Sequence, residues 1–78
     1  MNEWLANTLA AISDETFVLS DEDATTLLAI ARIASHDSSD RTNAPLLCYL
    51  IGRLAERSPA ANLEQIQEVI AGRARSDS

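Results

Sequence analysis

Residues 31–52 read ARIASHDSSDRTNAPLLCYLIG. This stretch decides the fold, because it joins the end of one apolar helix to the start of another. Asp37–Asn43 between them is a polar connection of Ser, Asp, Arg, Thr and Asn. Pro45 suits the first position of a helix, where its missing N–H costs nothing, and it pushes Ala44 away from helical geometry. The third helix is therefore expected to start at Pro45. Leu46 to Ile51 is apolar all round, which marks a central, mostly buried helix. Gly52 costs about 1 kcal/mol against Ala inside a helix, so a close helix crossing is expected there.

Upstream of the joint, Ser20–Asp23 is a helix start. The Ser20 hydroxyl can accept from the amide three residues on, and Asp21, Glu22 and Asp23 sit where the helix dipole favours negative charge. Ala24, Leu27, Leu28, Ala31 and Ala34 then form the expected inner stripe, which Ile30 and Ile33 widen. This helix is expected to span 21–36. Before it, Leu5, Leu9 and Ile12 share one face of a short helix over 3–12, with Trp4 covering the edge of the core. In the connection that follows, Phe17 or Val18 is expected to pack inward. Downstream, the third helix covers 45–57. Ser58 with Pro59, or Asn62 with Gln65, caps a fourth over 62–72, whose inner residues are Leu63, Ile66, Val69 and Ile70. Gly72 reads as its C-terminal stop, leaving 73–78 as a frayed tail. The chain thus reads as a single all-α domain over 1–78, a compact bundle of about four short helices, with the second and third at its centre.

Composition agrees. Two Gly and two Pro among 78 residues leave few turn signals, which favours helices over many short strands. The net charge is −6, from 12 acids against six Arg. Nucleic-acid binding needs a basic stripe to neutralise phosphates, and there is none. No apolar stretch approaches the roughly 20 residues needed to span a bilayer. The N-terminus lacks a signal-peptide pattern. A lone Cys48 inside an apolar run fits core packing in a reduced, cytoplasmic setting.

Arg32 and His36 lie four apart and share a helix face near its end, and Arg41 follows in the connection. With the amides at the start of the third helix, these cations can hold a phosphate, a carboxylate or a partner's acidic group. They serve equally as cations satisfying a helix C-terminus, with Asp37 and Asp40 as ion-pair partners. Arg32, His36 and Arg41 are the candidate anion or partner site. No metal site is expected, since no second His or Cys stands at ligand spacing from His36. No Gly-rich phosphate loop and no nucleophile–base pair is present, so no cofactor and no catalysis are expected. His36 as a general base is a weaker reading. Asp37–Ser38 invites comparison with acyl carrier proteins. In those proteins, however, Gly precedes the pair, an apolar residue follows, and the Ser starts a helix.

The order of features is more telling. TrpLeu at 4–5 comes first, then the acid-capped LeuLeuAlaIleAlaArg at 27–32, Ala34 and His36. A short Arg-containing loop follows, then AlaProLeu at 44–46 and an apolar helix ending at Gly52. Over about residues 2–56 this resembles a small bacterial domain family of unknown function. Its members occur alone or as a C-terminal tail on molybdenum cofactor guanylyltransferases. Asp37 stands where that family has a small residue, and the loop is about one residue longer. The resemblance implies a helical accessory domain, and does not imply guanylyl transfer, whose phosphate-binding loop is missing here. The expected function is a non-catalytic accessory or protein-interaction domain, linked to molybdenum cofactor biosynthesis. The alternative is a small-anion or nucleotide-binding module at the joint. Helices with broad apolar faces in so short a chain also leave a patch that suits a homodimer.

Overall fold

A computed structural model describes residues 2–15, 17–58 and 62–76. Four helices follow in order: α1 (Glu3–Ile12), α2 (Asp21–Ser38), α3 (Asn43–Arg57) and α4 (Leu63–Ser76). The described residues contain no strand, and the fold is all-α. None of these helices is long and apolar enough to cross a membrane.

The helix starts follow from local chemistry. Asn2 Oδ1 accepts from the Leu5 amide at 2.9 Å, Ser20 Oγ from Asp23 at 3.1 Å, and Asn62 Oδ1 from Gln65 at 2.8 Å. Each cap satisfies a donor that the helix itself leaves without a partner. The Ser58–Pro59 alternative involves a residue outside the described range.

The centre is narrower than expected. α2 packs against α3 on one side and α4 on the other, while among the described residues α3 and α4 make no helix-to-helix contact with each other. α2 alone is therefore central. Ile30 is its fully buried residue (0% exposed), with Ala34 of α2 and Ile51 of α3 beside it. Ile30 was expected only to widen the stripe; it is the core. Leu28, assigned to the inner stripe, is 71% exposed. A helix held between two neighbours buries the sector midway between them, and Ile30 occupies that sector.

The Leu46–Ile51 run does not make α3 a buried helix. Leu46, Tyr49 and Leu50 are all exposed, Tyr49 to 64%, and only Ile51 is buried. An all-round apolar helix needs neighbours on every side, and α3 has only α2. Gly52 marks no close crossing: a Cβ added there meets nothing within 4 Å.

α1 contacts none of the other three helices among the described residues. It leaves the molecule extended, 43 × 27 × 19 Å. Trp4 is exposed and covers no core edge, and Ile12 on its apolar face is 77% exposed. In the connection, Val18 is 91% exposed and Phe17 also faces out. Leu19 is the half-buried one. Phe17 lines a shallow open hollow with Ala6, Leu9 and Ala10 of α1.

Three helix limits differ from expectation. α2 continues to Ser38, because Ser39 supplies the left-handed stop (φ 59°, ψ 27°). α3 starts at Asn43, placing Pro45 at the third helical position, where an N–H also has no partner within the helix. α4 runs through Gly72 to Ser76, and Gly72 does not adopt a positive φ. The frayed tail expected over 73–78 is helical as far as Ser76, since α4 packs along α2 and Ala74 is still half-buried; residues 77–78 lie outside the described range.

Candidate functional site

The joint between α2 and α3 is a closed hydrogen-bonded turn. The Ser38 hydroxyl donates to the Ala34 carbonyl at 2.6 Å and lies 3.2 Å from that of Asp40. Asp40 then closes the turn before α3: its Oδ1 accepts from the Thr42 amide at 2.9 Å and from Thr42 Oγ1 at 2.6 Å, and Thr42, the N-cap residue, makes no side-chain cap bond of its own. The Thr42 hydroxyl, and then its amide, hold the Asp40 carboxyl below the usual carboxylate value. The Asn43 amide donates to the Asp40 carbonyl at 3.1 Å and the Ala44 amide to the Arg41 carbonyl at 3.2 Å.

These bonds bear on the anion reading. At the start of α3, the amides of Thr42, Asn43 and Ala44 all have acceptors, and Pro45 has no N–H to offer. The anion at this helix start is the protein's own Asp40. Asp40, expected to pair with an Arg, is instead bonded to Thr42.

The structure gathers two of the three candidate cations. Arg32 and His36 line an open groove of about 430 Å³ with Ile33, Asp37 and Ala74 of α4. Arg41 is exposed in the joint and is not part of that lining. Ser38 closes α2 with its hydroxyl bonded to a carbonyl. It starts no helix, unlike the Ser of an acyl carrier protein. No group of three His, Cys, Asp or Glu side chains among the described residues is placed to hold a metal ion.

The more pronounced concavity is elsewhere. Two separate hollows lie among α2, α3 and α4. One, of about 490 Å³, is walled by Leu46, Leu47 and Leu50 of α3, by Ile70 and Arg73 of α4 and by Asp37 of α2. The other, of about 410 Å³, is formed by Leu27, Cys48, Ile51, Ala55 and Leu63. Cys48 is half-buried in this wall. Arg73 was missed in the sequence, where it fell in the expected tail. Its position three residues after Ile70, on the same helix face, is the signal that would have found it.

A family model covers residues 1–78 from end to end: the DUF6457 domain of unknown function. The chain belongs to the DUF6457 family. No curated protein and no solved structure matches this DUF6457 chain.

Proposed function

We propose that this DUF6457 domain is a non-catalytic accessory module that works by binding another protein. The observation that carries this reading is the number of large apolar side chains left on the surface of so small a chain. Trp4, Leu28, Leu46, Tyr49 and Leu50 are all exposed. Contiguous exposed apolar surface is the usual mark of an interaction site. The similarity in feature order to the tails of molybdenum cofactor guanylyltransferases supports a cytoplasmic partner of that class in bacteria. The reading assigns no chemistry to the domain, and among the described residues no group of three His, Cys, Asp or Glu is placed to hold a metal ion.

Calorimetric titration of the domain with a purified molybdenum cofactor guanylyltransferase tests the proposal. Saturable binding, weakened by Arg32→Ala, His36→Ala and Arg41→Ala together in a variant of unchanged helicity, is the expected result. No heat at any concentration would remove the molybdenum link.

The groove holding Arg32 and His36 favours a second reading, a small-anion or nucleotide site. Titration with inorganic phosphate and then guanine nucleotides separates the two. Resonance shifts confined to Arg32, Ile33, His36 and Ala74 would support a ligand, and unmoved spectra would dismiss it.

A further inference from the structure

The outward face of α3 carries two parallel rows, each repeating every fourth residue. Leu46, Leu50 and Leu54 form one; Tyr49, Arg53 and Arg57 form the other. All six are exposed, because α3 buries Ile51, on another side, against α2. Between the rows runs a shallow groove of about 200 Å³, with Leu50 and Leu54 as its apolar wall and Arg53 and Arg57 as its cationic wall. We propose that this groove receives an acidic amphipathic helix of another protein, its apolar ridge against the leucines and its carboxylates on the two arginines.

Spacing, charge and geometry carry this. Rows at four-residue spacing are the ridges through which helices interlock, so a second helix can lay its own ridge in the groove between them. The lining of the groove contains no acid, and Glu56, the only acid of α3, is outside it. Among the described residues neither Arg53 nor Arg57 has an ion-pair partner, in a chain where 12 acids face six Arg. Arg57 ends α3 and suits the helix dipole there, but Arg53 lies a turn further in, beyond that effect. The Arg53 guanidinium carbon stands 6.0 Å from the centre of the Tyr49 ring. That stacking holds the guanidinium along its row while its N–H donors stay open to a carboxylate. Tyr and Arg are also the residue types in which binding energy concentrates at interfaces.

The counter-charge belongs on a peptide rather than on a phosphate backbone or a membrane. Three leucines call for apolar partners that a nucleic-acid backbone does not offer. Two arginines on a chain of net charge −6 are too few to hold an anionic membrane.

This inference rests on the reading of the domain as a protein-binding module, and it names the chemistry of the partner. The probe is a synthetic amphipathic helix with Leu along one stripe and Glu beside it. It is titrated into the full chain and followed by amide resonances. A counterpart with every Glu replaced by Lys, and phosphatidylglycerol vesicles, are titrated in the same way. The Glu peptide should shift resonances within 46–57 only. The Lys peptide should bind about tenfold more weakly, and the double variant Arg53→Gln, Arg57→Gln should lose as much for the Glu peptide while keeping its helicity. Equal binding of the two peptides overturns the proposal. So do shifts centred on α1 or α4, vesicle binding that matches the Glu peptide, or no binding of that peptide. Shifts at 46–57 on concentrating the chain alone would make the occupant a second copy and overturn it too. The guanylyltransferase decides the other reading separately. If it binds the double variant as tightly as the native chain, the groove is refuted and the function stands. If it does not bind while the Glu peptide seats on α3, the molybdenum link falls and the groove stands.

Discussion

Ile30 and Leu28 differ by two residues and by almost their whole exposure. Truncating Ile30 to Ala removes buried methyl groups from the only fully buried large side chain among the described residues and should cost roughly 2–5 kcal/mol. Leu28→Ala should cost less than about 0.5 kcal/mol, the range of surface substitutions. Urea denaturation of the two variants checks the contrast. Two residues should accept stabilising changes. Ser39 holds a left-handed backbone that Gly adopts freely, so Ser39→Gly should gain up to about 1 kcal/mol. Gly52 is helical with open space around its missing Cβ, so Gly52→Ala should gain about 1 kcal/mol. Asp40 gives a pH dependence. Its folded value lies below the unfolded 3.8, so its contribution is fully present above 3.8 and disappears as pH falls through the lower folded value. Asp40→Asn should therefore unfold at lower urea than the native chain at neutral pH, and the two midpoints should converge in acid.

Among the elements, the helix starts were the most legible. Ser20 and Asn62 carry side-chain oxygens at the right distance from the first free amides, and that chemistry is local. Asn62→Ala should cost about 1 kcal/mol. Hydrogen exchange should show the loss first in the opening turn of α4. The stops were less legible. Gly72 is an expected terminator that the helix passes through, because α4 packs along α2, and that contact is one no local rule contains. The sidedness of α3 was illegible for the same reason. Leu46–Ile51 says that many apolar atoms are present, but not that α4 stands off and leaves Leu46 and Leu50 to form a wall. Of the candidate cations, Arg32 and His36 meet because a four-residue helical spacing guarantees it. Arg41 lies past the left-handed Ser39, where that guarantee ends.

At the level of the whole molecule, shape and charge work together. The acids concentrate in residues 1–40, eight against one Arg, whereas residues 41–78 carry five Arg and four acids. If the exposed apolar surface pairs copies of the chain, folding stability is linked to protein concentration. The thermal midpoint should then rise as concentration is raised tenfold. A concentration-independent midpoint would show that copies do not pair.

The separation of α3 from α4 also sets how the domain comes apart. Each leans on α2 and neither leans on the other, so loosening one does not require loosening its opposite number. α2 and α3 are joined by the four residues 39–42, in a turn held by Asp40 and Thr42. They form a local hairpin that closes quickly at little cost in chain entropy. α4 joins from farther along the chain and can peel away while that hairpin persists. The domain should therefore open like a book whose back cover lifts before its front, with α2 as the spine that is last to yield.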